Sequence, residues 1–244
     1  PEHDVEIRFF SPRREVAFVG HATVAAHYVR AFANGVPKGK VRQKWAGGIV
    51  EVEVTGRKPA LRVAVHQSPA TFGPVVPAER RAPVLDALGI SSSSLHPNCP
   101  MQVMSKANSR LLIGLRSPDT LESLQPDMDA LIHLTPHVGA DGFFVFAVKP
   151  GSDPVTTESR MFCPVIGVPE DPVSGNAHGM LGVYMLSNGL LTATDGKVSF
   201  TGHQGRFVDR PGTVEVEVTA SGKRATSVCV AGDATIVYQA EIEL

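Results

Sequence analysis

The sequence predicts an α+β protein made of two similar halves, each a curved sheet around one central helix. Three observations predict it. The order Arg8, Phe10, Pro12, Glu15, Gly20, Ala22 returns as Arg160, Phe162, Pro164, Glu170, Gly175, Ala177, with three extra residues between Pro164 and Glu170. Downstream of each block stands the hexapeptide Val-Glu-Val-Glu-Val-Thr, at 50–55 and again at 214–219. Between block and hexapeptide, each half carries one strongly apolar helical stretch. A single such hexapeptide is what any half-exposed strand looks like, but three features recurring in one order point to duplication.

The two helical stretches are 20–34 (GHATVAAHYVRAFAN), closed by Gly35, and 175–188 (GNAHGMLGVYMLSN), closed by Gly189. A glycine just past the last apolar residue is a common helix stop. Both stretches are apolar nearly all round and carry small residues at several turns. That composition predicts helices enclosed by a sheet, with the small residues letting strands approach closely. Strand-like text fills 5–10, 41–44, 49–55, 61–66, 109–114, 142–148, 197–201, 214–219, 226–231 and 234–242. Short peripheral helices are expected at 79–88 and 126–134, and a Ser- and Pro-rich linker at 91–100. The expected division is a first lobe of 1–92 with 235–244, and a second lobe of 93–234. A small-molecule site is favoured between two such lobes.

Composition narrows the function. The 244 residues are 43% hydrophobic and 19% charged, with 23 basic against 24 acidic side chains. That balance is globular and gives no electrostatic footprint for nucleic acid. The apolar runs, such as 111–115, break off far short of a bilayer span, so no membrane partner is expected. Three cysteines, Cys99, Cys163 and Cys229, form no CxxC pair; so sparse and odd a count suggests a reducing, cytoplasmic setting without a disulfide scaffold. The chain opens on Pro1 without an initiating Met, and the expectation is that its true start lies upstream or has been removed.

The groups able to do chemistry cluster where the two helices begin. His21 follows Gly20 at the first, and Asp171 precedes the second in Glu170-Asp171-Pro172-Val173-Ser174-Gly175-Asn176. Backbone N–H groups at a helix start suit a substrate carboxylate. With the halves related by a pseudo-twofold, His21 and Asp171 would flank one bound molecule. A proton taken on one side and returned on another is isomerase chemistry, which requires neither metal nor nucleotide. Structural readings stand beside these: Asp171 before Pro172 as a turn or helix cap, His21 as a buried imidazole, and Ser174-Gly175-Asn176 as a permissive turn. Because Glu15 and Glu170 recur in the duplicate, a structural pairing is favoured over catalysis for at least one. His203-Gln204-Gly205-Arg206 either lines the site or forms a turn around its glycine. His133 and His137 stand four apart, but Pro136 between them argues against a shared helical face, and nothing nearby completes a metal set. Walker and GxGxxG patterns are absent.

Phe10-Ser11-Pro12 with Glu15-Val16-Ala17-Phe18-Val19-Gly20-His21-Ala22-Thr23 resembles the F-[ST]-P-x-x-E-[VL]-P-F-x-G-H-[AP]-T signature of the phenazine-biosynthesis PhzF-like isomerases. Arg160-Met161-Phe162 with the run from Glu170 to Ala177 resembles their second signature, R-x-F-x-P…E-D-P-x-[ST]-G-[NS]-A, and Gln204-Gly205 their later Q-G element. The resemblance implies a diaminopimelate-epimerase-like fold, commonly a homodimer, and isomerisation of a small substrate by proton transfer without cofactors. It implies His21 and Asp171 as catalytic residues, with Gly20, Gly175, Asn176, Gln204 and Gly205 at the substrate. Related epimerases use a cysteine on each side; Cys163 stands too early for that role, which disfavours a cysteine racemase. The family's proton-shuttling glutamate sits in an S-E-[ST] motif, and the dipeptide Ser-Glu does not occur in this chain. The expectation is therefore that an opening strand and helix are missing, leaving the chain impaired alone and with an unpaired sheet edge. A non-catalytic binding protein of the same fold and an amino-acid epimerase are the alternative functions.

Overall fold

The structure is a computed structural model that describes residues 2–10, 15–16, 18–106, 108–152 and 154–241. Ser11, Pro12 and Ala17 of the first signature lie outside these. The chain forms two compact units, Pro1–Gln67 with Ala231–Leu244, and Ser68–Val230.

In the first unit, β1 (Val5–Glu6), β2 (Phe9–Phe10) and β3 (Glu15–Val16) precede α1 (Gly20–Asn34), followed by β4 (Lys40–Trp45), β5 (Gly48–Arg57) and β6 (Ala60–Gln67). β4, β5 and β6 form an antiparallel meander, with β1 added parallel to β4, while β2 and β3 pair apart from it. The period-2 alternation of the first hexapeptide does what it predicts: Val52 and Val54 turn inward with Leu61, Val63 and Val65 of β6. Against this face α1 lays Tyr28 and Ala31, and Tyr28 donates its hydroxyl hydrogen to Pro59 O at 2.8 Å.

The second unit contains β7 (Thr71–Val75), α2 (Ala82–Leu88), β8 (Gln102–Ser105), β9 (Ser109–Leu115), α3 (Asp119–Ser123), α4 (Met128–Val138), β10 (Phe143–Val148), β11 (Thr156–Cys163), β12 (Val168–Asp171), α5 (Gly175–Ser187), β13 (Lys197–Gln204), β14 (Gly212–Ser221) and β15 (Arg224–Gly232). Its strands run in the order β15-β14-β13-β11-β10-β9-β8-β7, with β12 on β11. One sheet face curls around α5: strands from β8 to β15 all supply side chains to that core. The opposite face packs against α2, α3 and α4. Buried on both faces, β10 (FFVFAV) sends Phe144 and Phe146 to α5 and Phe143 and Val145 to the outer helices.

Small residues on α5 do permit the close approach expected of them. A Cβ on Gly182 would stand 2.9 Å from a Val218 methyl, and one on Gly175 3.1 Å from Val230. All residues from 177 to 186 are buried, so α5 is enclosed as expected. In α1 the expectation fails. Only Thr23, His27, Tyr28 and Ala31 are buried, and Val29 is 49% exposed. Its apolar residues are mostly alanines, which read as apolar in sequence but do not require cover.

Other expectations are also revised. Residues 5–10 form two short strands that pair with different partners. Residues 234–241 form no strand; Ala234 and Ile236 pack on the first unit's core, while Val237 and Tyr238 stay exposed. The 91–100 segment lies inside the second unit, bonded to β9 through His96 N to Gly114 O, whereas the units change at 67/68 and 230/231. His133 and His137 do share a helix, for α4 runs on through Pro136 to Val138 rather than breaking between them. His137 Nδ1 lies 2.9 Å from His133 O. No helix among the described residues is long and apolar enough to cross a membrane.

Candidate active site

The approach to α5 is held by an internal amide. β12 ends at Asp171, and three residues later Ser174 takes the N-cap position with extended backbone, its hydroxyl accepting from Ala177 N at 3.3 Å. Between these points Gln204, at the end of β13, makes two bonds. Its Oε1 accepts from Ser174 N at 3.1 Å, and its Nε2 donates to Asp171 O. Gln204 is 3% exposed, so both ends of its amide are committed to shaping this loop. Gly205 follows with φ +89°, and a Cβ there would collide with Arg210 O and Pro172 O. The glycine reading of this turn is therefore right.

Ser174 is fixed from a second side by His178, one turn into the helix and fully buried. Nδ1 of His178 lies 2.8 Å from Ser174 O and so carries the ring hydrogen, while Nε2 lies 3.4 Å from Ser159 Oγ. Burial pushes this imidazole down to about 4, which keeps it neutral near pH 7. Gly202 makes room for the ring: a Cβ there would meet His178 Cδ2 at 2.1 Å. With Ser174 N and Ala177 N bonded, the N–H groups of Gly175 and Asn176 are the ones that have no intrahelical acceptor. Both residues are half-buried, as is Asp171. The helix cap is thus Ser174, and the capping reading of Asp171 is set aside.

A charged framework stands behind the loop. Arg160 and Glu170 form a bidentate pair at 3.1 and 2.8 Å, with side chains only 10% and 9% exposed. Arg160 also donates to Leu121 O and Leu124 O. The Phe207 ring has the Arg160 and Arg206 guanidinium groups each 4.6 Å from its centroid. Arg206, next to Gly205, is held in turn by Glu158 at 2.9 Å and Glu122 at 2.8 Å. Glu170 is therefore a structural partner, as the duplicate suggested.

In the first unit, Gly20 opens α1 and His21 follows, exposed to solvent, so the buried-imidazole reading of His21 falls. Val19 is the N-cap, and no side chain caps this helix. Thr23 bonds back to Val19 O through both N and Oγ1 at 3.0 Å. Arg8 and Glu15 repeat the bidentate pairing of the second unit at 3.0 and 2.7 Å, here exposed. The buried imidazole of α1 is His27, whose Nε2 lies 2.9 Å from Gln43 Oε1 and whose pKa burial lowers.

Of the residues expected at the site, the structure gathers Asp171, Gly175, Asn176, Gln204 and Gly205 around one helix start, and places Gly20 and His21 together at another. His178, Ser159, Glu158 and Phe207 escaped sequence reasoning. His178 had a usable signal, one turn after Ser174; the others are recognisable only once β11 is aligned beside β13. Among the described residues no three His, Cys, Asp or Glu side chains gather as a metal set. Cys163 is buried and pushed up to about 11, mainly by desolvation and with Asp171 contributing.

The chain matches the family described as phenazine biosynthesis-like protein (PhzC-PhzF) over residues 1–240. It is 39% identical to an uncharacterised isomerase of Salmonella typhimurium, covering 98% of this chain and 80% of that one. A trans-2,3-dihydro-3-hydroxyanthranilate isomerase of Pseudomonas fluorescens is 26% identical over 94% of this chain and 76% of its own length. Among solved structures, a Bacillus anthracis phenazine biosynthesis protein of the PhzF family has a TM-score of 0.83 at 19% identity, covering 98% of this chain and 80% of that chain. A predicted epimerase from Pseudomonas aeruginosa has a TM-score of 0.75 at 24% identity, covering 96% and 79%. Both structural likenesses bear on the fold, which is α+β and epimerase-like.

Proposed function

The chain belongs to the phenazine biosynthesis-like family of isomerase relatives, and from that premise we propose that it isomerises a small carboxylate-bearing metabolite by acid–base proton transfer, without a cofactor. The observation that carries this reading is the start of α5. Gly175 and Asn176 offer two N–H groups beside Asp171, on a loop held by Gln204, Gly205 and His178. A substrate carboxylate taken there gains charge-assisted hydrogen bonds and the favourable end of the helix dipole.

In this reading Asp171 and His21 are the groups that carry protons. Gly20, Gly175 and Asn176 bind the substrate, and Gln204 and Gly205 position the loop. One C–H proton is removed, the electron pair shifts through an adjacent double bond, and a proton returns to another carbon, so the atoms balance without an oxidant. The hydroxyanthranilate isomerase relative supports a small ring with a carboxylate as the substrate class. Thiol chemistry is a weaker reading, because Cys163 and Cys99 are buried and pushed up to about 11 and about 12.

Deuterium uptake from heavy water tests the proposal, with trans-2,3-dihydro-3-hydroxyanthranilate as first substrate and mass spectrometry as the readout. Asp171→Asn and His21→Ala are each expected to slow uptake about 100-fold or more, the range of a lost general acid or base. Unchanged uptake in both variants removes these two residues as the proton carriers.

A further inference from the structure

A cavity of about 800 Å³ opens in the second unit at the far end of α5. Asn188, the C-cap of α5, contributes to its wall, whereas the candidate active site surrounds Ser174. At 1.5 Å per residue the two ends of this helix lie on the order of 20 Å apart. The cavity is thus a separate feature.

Among the described residues its lining carries positive charge and no negative charge. Arg81 and Arg116 both line it, and no Asp or Glu does. Each guanidinium is held at its stem: Arg81 Nε donates to Val76 O, and Arg116 Nε to Ser93 O, both at 3.0 Å. Among the described residues neither forms an ion pair, so the terminal nitrogens of both remain without a carboxylate. That arrangement is pre-organised for an oxyanion, since the long side chains are already anchored.

Neutral donors complete the wall. His96 Nδ1 accepts from Asn98 N at 3.2 Å, with Cys99 Sγ at 3.4 Å. Its hydrogen in the neutral ring therefore sits on Nε2. Burial and the charge of Arg116 lower the pKa of His96, so the ring is neutral at pH 7. Asn98 and Asn188 add amide groups to the same wall. The helix carbonyls near Asn188 are already engaged, Tyr184 O by both Asn188 N and Asn188 Nδ2, and Met185 O by Leu190 N.

We propose that this cavity is a second binding site, taking a small dianion, either a phosphate group or a dicarboxylate, between Arg81 and Arg116. Two unpaired guanidinium groups match two negative charges, and the planar fork of each suits paired oxygens.

Calorimetry on the full chain at about 20 mM ionic strength, where charge screening is weak, tests it with inorganic phosphate and with succinate separately. Heat from phosphate alone identifies a tetrahedral site, and heat from succinate alone a dicarboxylate site. Arg116→Gln, at an exposed position, is expected to weaken binding about tenfold, and Arg81→Gln by a similar factor. Asp171→Asn is expected to leave it unchanged. Amide NMR shifts on titration are expected at His96, Asn98 and Asn188, which keeps the test decisive if Arg81→Gln fails to fold. Failure of both anions to bind, equal affinity in Arg116→Gln, or shifts confined to the start of α5 overturns the proposal.

Discussion

The two halves of this chain repeat one pairing in two environments. Arg8–Glu15 and Arg160–Glu170 use the same atoms, Nε to Oε1 and Nη2 to Oε2, at nearly the same distances. The first pair is 61% and 37% exposed, the second 10% and 9%. Solvent and salt screen the first, so its contribution to stability is small. The second has been taken out of water, and neither partner can lose the other without leaving a buried charge. The central helices differ in the same sense: α1 buries one stripe, and α5 every residue from 177 to 186. Duplication preserves who pairs with whom; burial decides how much each pairing matters.

Removing one partner from each pair breaks that comparison most sharply. Glu170→Ala is expected to destabilise the protein by about 3–5 kcal/mol, the cost of an uncompensated buried charge. Glu15→Ala is expected to leave the thermal midpoint where it was. Equal effects by circular dichroism melting would show that burial is not the deciding variable.

The buried imidazole of α5 gives the next largest effect. His178 is lowered from 6.5 to about 4, so an unfolded chain takes up that proton before the folded one does. Stability from the neutral ring is complete above about pH 6.5 and is lost as pH falls toward 4, by on the order of 3 kcal/mol in total. His178→Gln is expected to flatten the acid limb of stability against pH, whatever it does to stability at pH 7; an unchanged limb assigns the slope to other groups.

Helix surroundings can be compared with a pair of enlargements. Gly182→Val on α5 drives methyl groups into Val218 and Val216, with an expected loss of about 1–3 kcal/mol in urea unfolding. Ala25→Leu, on the exposed side of α1, is expected to change little. The smallest effect concerns thiols. Cys99 and Cys163 are both buried and held far above the range where a thiolate forms, so neither is expected to react with iodoacetamide at pH 8 while the protein is folded. Rapid labelling of Cys163 would revive the epimerase reading.

Much of this organisation is legible in the sequence, because the duplicated residues carry their own physics. The bounds of α1 follow from its alanine-rich run and Gly35, and the inward valines of β5 and β14 from strict alternation. Arg8–Glu15 and Arg160–Glu170 were visible as recurring residues, although their difference in burial was not. β11 (TTESRMFC) was missed for a definite reason. Glu158, Ser159 and Arg160 are polar and buried, satisfied by residues far away in sequence, so neither alternation nor apolarity marks the strand. β7 and β12 each contain a proline, which argues against a strand in sequence and is tolerated at an edge. At the candidate site, Asp171 was found through its place before an apolar helix, and Gly175 and Asn176 through the resemblance to the family's second signature. The twofold grip of Gln204 requires β13 to end beside β12, a contact between segments some thirty residues apart that no local pattern encodes.

The glycines of α5 set the angle at which that helix can sit about its own axis. Gly175, Gly179 and Gly182 lie along one side, where an added Cβ would stand 3.1 Å from Val230, 3.2 Å from Val230 and 2.9 Å from Val218 in turn, closer than side chains ordinarily pack. Turning the helix by even one residue would swing a larger group into those valines, so the helix works like a key cut for one slot. The direction in which its first two amides point is thereby set partly by side chains on β14 and β15.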